Sequence, residues 1–404
     1  GKQVEVNRIL GANSMYDVVK FNTAIEKKQM TLTLAPQPAK VGETVYLLPY
    51  STQKATALQT GKVTAVDSIG NQSFYYTLEM KTGEKTISCP IMNINGQVLG
   101  MIQKNASDDS MESYALGASY GASLNISALS MNDGALNNIG IKKALPDTED
   151  QALVYLYMSA EQLDKDSYLN ILNEFLTQYP NSMEGYVRRA NYYMGSEDAA
   201  QYAQADADLK KALDVASVKE DAYYQVAKSI YGYVLSLNDK EPYQEWTMDK
   251  ALELIRTAIQ TNEQPLHVQL EGDILFAQGK YADAYASYEK FNQSTMASAA
   301  SYYSAAKAKQ LTEGSDINEV LALMDKAIEQ LSKPYFGEAA PYCYERAELR
   351  AQASKYREAV LDYNTFFDAV SGDVTALFSF QREQAETQCR MYQQALNDIN
   401  KAVE

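Results

Sequence analysis

One pattern returns seven times between about residue 148 and the end of the chain. A small or aromatic residue is followed four positions on by a large one, and three beyond that by another small or aromatic one. The instances are Tyr168/Leu172/Phe175, Ala205/Leu209/Ala212, Ala251/Ile255/Ala258, Ala284/Tyr288/Phe291, Val320/Met324/Ala327, Ala359/Tyr363/Phe366 and Ala395/Ile399/Ala402. Their first members stand 37, 46, 33, 36, 39 and 36 residues apart. Positions i, i+4 and i+7 share one helix face. Each instance follows another amphipathic stretch, so the repeating unit is a helix pair. A unit this short buries its apolar face only against its neighbours, which predicts a solenoid of about seven pairs over residues 148–404.

The first part of the chain has a different period. Thr44–Leu48, Gly61–Val66 and Phe74–Leu78 are rich in β-branched and aromatic residues and are separated by Gly, Asn, Pro and Ser clusters. These are antiparallel strand signals. Asn95-Gly96, between Ile91-Met92 and Val98-Leu99, predicts a two-residue hairpin with both central residues at positive φ. The expected organisation is therefore an all-β domain over 1–126, a connector over 127–147, and the helical array over 148–404.

Composition narrows the function. No apolar run approaches the length of a membrane span. Residues 1–130 hold 11 basic and 10 acidic residues, so the rest of the chain carries a net −17. A surface of that sign repels phosphate backbones, and nucleic acid is not an expected partner. The sequence has one histidine, His267, and three scattered cysteines, Cys89, Cys343 and Cys389. With so few ligands, no metal or other cofactor is expected. Phosphate-binding loops, His-Glu-x-x-His and Gly-x-Ser-x-Gly are absent. Acidic pairs such as Asp108-Asp109 and Asp206/Asp208 read as solvated surface, and His267 and Trp246 as packing residues.

The helical array resembles the tetratricopeptide repeat, whose paired helices cross at small residues. Gly272…Gly279-Lys280-Tyr281-Ala282-Asp283-Ala284 and Arg346-Ala347…Lys355-Tyr356-Arg357-Glu358-Ala359 carry the resemblance, with Tyr179-Pro180 closing the first unit and Tyr392 repeating Tyr281 and Tyr356. It implies a superhelix whose first helices line a concave, protein-binding face.

Four segments of the β part, in order, resemble the trypsin-like serine proteases, especially their bacterial stress-protease branch. Tyr16–Phe21 is similar to the strand whose aspartate orients the catalytic histidine, and Val41–Tyr50 to the strand opening the second barrel. Thr86–Met101 is similar to the nucleophile segment, and Ser113–Leu116 to the following edge strand. Counting back from Pro90 and Asn93, the nucleophile position is Ile87, and the flanking glycines are replaced by Lys85 and Ser88. An isoleucine has no oxygen with which to attack a carbonyl. Ser88 takes that place only if the register slips by one, against which Pro90 and Asn95-Gly96 argue. The segment that carries the family's histidine would lie before residue 1. Asp17 and Ile87 are then vestigial positions in a partial barrel.

The expected function is a non-catalytic protein-binding adaptor with a pseudoprotease barrel as second docking surface and a protein or peptide partner, favoured if basic. Candidate contacts on the first helices are Tyr186, Arg189, Tyr224, Tyr231, Tyr302, Tyr303, Tyr344 and Glu348. The alternatives are a serine peptidase whose histidine lies upstream, and a spacer without a ligand. The protease resemblance implies an exported, cell-envelope location. The sequence leaves the oligomeric state open.

Overall fold

The computed structural model describes residues 4–24, 31–50, 58–70, 72–105, 110–196, 198–238, 240–370 and 376–403. The chain divides into two compact units, Gly1–Pro180 and Asn181–Glu404.

The first unit holds a two-stranded ribbon, β1 (Val6–Asn13) and β2 (Val18–Thr23), and a closed six-stranded barrel. The barrel strands are β3 (Thr44–Leu47), β4 (Gln59–Ile69), β5 (Ser73–Glu79), β6 (Pro90–Met92), β7 (Val98–Ile102) and β8 (Glu112–Gly117). They close in the order β3-β4-β5-β8-β7-β6, and every neighbouring pair is antiparallel. Alternate residues turn inward. Val45, Leu47, Val63, Tyr76, Leu78, Ile91, Leu99, Ile102 and Ala115 fill the interior. Gly100 and Gly117 face each other where β7 meets β8. A Cβ on Gly100 would stand 2.5 Å from the Leu116 carbonyl oxygen, and one on Gly117 2.5 Å from that of Phe74. Only glycine lets the strands approach so closely there.

Two local expectations are corrected. The β6–β7 connection is a five-residue loop, Asn93–Gln97, rather than a two-residue turn. Asn93 organises it: its side-chain oxygen accepts from the amides of Asn95 and Gln97, each at 3.0 Å, and Gly96 alone takes positive φ (73°). The strand expected from Tyr16 begins at Val18, because Asp17 sits at φ 46° in the β1–β2 turn.

The barrel itself occupies residues 44–117, and a helix, α1 (Ala118–Ser123), follows β8 directly. The stretch 127–147 holds a 3₁₀ turn and the short α2 (Gly134–Asn137), and it is tied to the ribbon. The Ile9 amide donates to the Lys142 carbonyl and the Ala144 amide to that of Ile9, both at 2.8 Å. Two longer helices, α3 (Glu149–Gln162) and α4 (Lys165–Gln178), complete the unit. Arg8 of β1 reaches Glu174 of α4 at 2.9 Å, and Lys142 pairs with the same carboxylate. The boundary between the two units falls after this helix pair, at Pro180.

The second unit is six helix pairs: α5 (Met183–Met194) with α6 (Ala199–Val215), α7 (Lys219–Leu235) with α8 (Met248–Thr261), α9 (Pro265–Ala277) with α10 (Tyr281–Phe291), α11 (Ala299–Leu311) with α12 (Ile317–Glu329), α13 (Ala340–Gln352) with α14 (Tyr356–Ala369), and α15 (Ala376–Gln388) with α16 (Tyr392–Val403). With α3 and α4, fourteen helices follow residue 148 among the described residues. The small residues of the repeat are buried, including Ala205, Ala251, Ala284, Ala359 and Ala395. A larger side chain there would force paired helices apart.

Three of the pairs turn on the same backbone device. Gly279, Ser354 and Arg390 take φ of 75°, 60° and 65°, and the next amide reaches back five residues: Lys280 to Leu275, Lys355 to Arg350 and Met391 to Glu386, at 2.9, 2.7 and 2.8 Å. This left-handed cap satisfies carbonyls the helix end would otherwise leave open.

A buried ion pair recurs between the helices of a pair. Arg189 of α5 grips Asp208 of α6 through two contacts of 2.8 Å. Arg346 of α13 holds Asp362 of α14 at 2.9 and 2.6 Å, and Arg382 of α15 holds Asp398 of α16 at 2.5 and 2.6 Å. In α9/α10 the slot is occupied by Glu271 and Ser287, and Arg256 of α8 supplies the cation. Asp208, expected on a solvated surface, is therefore a buried partner of Arg189. Asp108 and Asp109 lie outside the described residues.

Candidate functional site

The barrel loop around Ile87 is closed on itself. Glu84–Thr86 forms a 3₁₀ turn, and Ile87, half-buried, ends it. Three successive amides of the loop are hydrogen-bonded within the barrel. Ile87 donates to the Glu84 carbonyl at 3.4 Å, Ser88 to that of Ile102 at 2.8 Å and Cys89 to that of Thr86 at 3.0 Å. Ser88 is exposed with φ 64°, and Cys89 is buried in the barrel core. An acyl-transfer site needs preorganised, unspent donors beside its nucleophile. Here the amides of Ile87, Ser88 and Cys89 are already paired with main-chain carbonyls.

Asp17 is exposed in the ribbon turn. Its neighbour Tyr16 packs against Tyr120 and Tyr75, with ring centres 5.0 and 6.3 Å away, and the Gln103 side chain donates to the Tyr16 carbonyl. His267 belongs to the other unit, on α9. It is buried, with its ring 5.2 Å from that of Tyr224, and burial pushes its pKa down. Trp246 is buried as well, packed by Tyr202, Tyr233 and Tyr243.

All eight residues expected at a binding face lie on first helices of pairs: Tyr186 and Arg189 on α5, Tyr224 and Tyr231 on α7, Tyr302 and Tyr303 on α11, Tyr344 and Glu348 on α13. All are half-buried, and most already hold internal partners. Arg189 is committed to Asp208, with the Tyr186 ring 5.9 Å from its guanidinium. Tyr303 donates to Glu345, which also pairs with Lys307. Burial and that carboxylate push the Tyr303 hydroxyl well above the ordinary tyrosine range. Tyr344 packs on Phe366 and Phe378 and donates to Gln381 at 2.9 Å. Glu348 accepts from Tyr363. Burial raises Tyr224 and Tyr231, with Asp273 of α9 adding to both.

Between successive first helices the surface opens into polar clefts. One of about 380 Å³ between α5 and α7 is lined by Asn191, Gln225, Lys228, Ser229 and Ser236, with Gly195 and Gly232 leaving it open. Another of about 460 Å³, between α13 and α15, is lined by Glu348, Gln352, Gln381, Glu383 and Gln384. The sequence reading chose aromatics and missed these amides. The available signal was Asn191, Gln225 and Gln352 on the helices of chosen tyrosines, whereas Gln381 and Gln384 lie on α15, which carries none of the eight.

Among the described residues no cluster of His, Cys, Asp and Glu could hold a metal ion. Nor is any helix long and apolar enough to cross a membrane. The Cys343 thiol is buried and pushed up to about 11, far from a nucleophilic thiolate.

No protein-family model matches the chain, and no curated relative matches it. Solved structures resemble parts of it. A tetratricopeptide repeat protein from Parabacteroides merdae is 15% identical, covering 63% of this chain and 91% of its own, with a TM-score of 0.39. YrrB, described as a TPR protein with an unusual peptide-binding site, is 14% identical over 48% of this chain and 90% of its own, also at 0.39. The inactive form of Rv3671c from M. tuberculosis is 22% identical over 34% of this chain and 68% of its own, at 0.25. These similarities transfer no function to this chain.

Proposed function

We propose that this chain is a non-catalytic protein-binding adaptor. Its helical half reads as a tetratricopeptide-repeat solenoid that takes up a segment of another protein along the first helices of its pairs. Its barrel reads as a degenerate trypsin-like barrel retained as a second docking surface. The observation that carries the binding role is the presence of open polar clefts between first helices α5/α7 and α13/α15. Side-chain amides there can pair with a peptide backbone, and half-buried tyrosines beside them are already ordered, which lowers the entropic cost of contact. Glu348 and Glu383 on the second cleft, in the part of the chain that carries the acidic excess, favour a basic segment. The peptidase alternative needs a nucleophile where Ile87 stands, in a loop whose amides at 87, 88 and 89 are already hydrogen-bonded.

An array of extended Lys/Arg-rich peptides and their acidic counterparts, probed with the full chain, tests the binding role. Basic peptides should be retained, less so as salt screens the attraction. Gln352→Lys with Gln384→Lys changes two exposed cleft residues and should weaken retention roughly tenfold or more without moving the melting temperature. Equal retention of acidic peptides, or no effect of the double variant, would contradict the reading.

A further inference from the structure

Two helix pairs share a carboxylate–tyrosine contact distinct from the buried ion pairs. Asp273 of α9 accepts from the Tyr288 hydroxyl of α10 at 2.8 Å, and Glu348 of α13 accepts from that of Tyr363 of α14. The two sites are register equivalents. Each carboxylate stands eleven residues before the small residue of its repeat, Ala284 or Ala359, and 15 before its tyrosine. Both tyrosines are buried, whereas Asp273 and Glu348 are half-buried, and Glu348 lines the α13/α15 cleft. Burial first, and the facing carboxylate second, push both hydroxyls well above the ordinary tyrosine range, so they stay donors.

These two carboxylates lack what their neighbours have. Asp208, Glu271, Glu345, Asp362 and Asp398 each hold an arginine or a lysine. Asp273 and Glu348 pair with no cation among the described residues; each holds a tyrosine hydroxyl. Burial pushes the Asp273 carboxyl up, and the bond from Tyr288 opposes the rise. A neutral donor compensates a half-buried carboxylate less than a cation does. Aromatic rings stand beside both: Tyr224 and Tyr231 feel the Asp273 charge, and the Tyr344 ring lies 6.3 Å from that of Tyr363. A carboxylate beside ring faces suits an ammonium or a guanidinium. On the intervening first helix, α11, the equivalent position is Lys309, held by Glu319 at 2.6 Å with its ammonium 4.9 Å from the Tyr285 ring. A third ligand cation would meet like charge there.

We propose that Asp273 and Glu348 are twin anchors for two basic side chains of one extended segment, with no basic residue between them. The proposal rests on the binding role given above. Successive first helices pack about 10 Å apart, which puts the anchors, two repeats apart, about 20 Å from each other. An extended chain rising about 3.3 Å per residue covers that in about six residues.

Fluorescence anisotropy of the full chain with two labelled peptides tests this: one has two arginines six positions apart in a neutral Gly-Ser-Ala chain, the other two adjacent arginines in the same chain. The spaced peptide should bind about tenfold tighter. Asp273→Asn and Glu348→Gln keep an oxygen for the tyrosine, and each should remove most of that gain without lowering the melting temperature. Asp283→Asn, which neutralises an exposed carboxylate on α10, should leave the affinity unchanged. Equal affinity of the two peptides, indifference to the two anchor substitutions, or an equal loss with Asp283→Asn would overturn the twin anchors while the adaptor reading stands. Failure of the Lys/Arg-rich peptides as well would overturn both.

Discussion

Arg346 and Asp362 lock the two helices of the α13/α14 pair, with guanidinium and carboxylate in two parallel contacts of 2.9 and 2.6 Å. Asp362 is almost fully buried, and Arg350 reaches the same carboxylate at 2.8 Å. Burial pushes the Asp362 carboxyl up, and the two guanidinium groups oppose that rise. Equivalent pairs stand in α5/α6 and α15/α16, so one ionic device recurs along the array.

Removing one partner should cost more than removing both. Arg346→Met leaves a buried carboxylate poorly compensated and should destabilise by about 3 kcal/mol. Adding Asp362→Leu should recover part of that loss, because the uncompensated carboxylate is gone and Arg350 keeps Asp325 as a partner. Urea denaturation of the two variants measures the difference; equal losses in both would contradict the argument.

The shared turns predict opposite responses to glycine. Ser354→Gly and Arg390→Gly put the permissive residue at φ 60° and 65°, and each should stabilise by about 0.5–1 kcal/mol. Gly279→Ala, at φ 75°, should destabilise by about 1 kcal/mol. Thermal or urea melts decide the signs.

Glu386 gives the last pair a pH dependence. Its side chain is buried in α15, one carboxylate oxygen has no hydrogen-bond partner, and Arg382, 3.9 Å away, is committed to Asp398. Burial first, and the nearby Asp398 second, push its pKa up from 4.5 to about 7. The folded state therefore holds this proton more tightly than the unfolded chain. Its contribution is complete below about pH 4.5 and is lost as pH rises through about 7. Glu386→Gln should gain stability over the wild type at pH 8, on the order of 2 kcal/mol, and gain nothing at pH 4. Parallel stability–pH curves for the two proteins would contradict this.

The helix pairs were legible because burial of small residues imposes a period that survives drift in the remaining positions. Ala284, Ala359 and Ala395 mark it directly. Strands β3, β4 and β5 were legible from β-branched and aromatic runs. The Asn93–Gln97 loop was not, since Asn95-Gly96 reads as a two-residue turn until the Asn93 side chain is seen to cap it. Asp208 was misread for a similar reason. Charge in a sequence suggests solvent, and only the fold reveals that residues 19 positions apart satisfy one another in the interior. At the turns, Gly279 announces its positive φ, whereas Ser354 and Arg390 adopt the same geometry under tertiary constraint. The clefts were missed because binding was sought in aromatics, and the tyrosines turned out to be partly structural.

Fluorophosphonate labelling of the full chain, read by intact mass, tests most directly whether the barrel is a docking module instead of an enzyme. The account predicts no adduct on the wild type, and none on Ile87→Ser, because a hydroxyl placed there sits among amides of Ile87, Ser88 and Cys89 that are already hydrogen-bonded. An adduct on the wild type that disappears in Ser88→Ala would show a working nucleophile one residue away and would contradict the account.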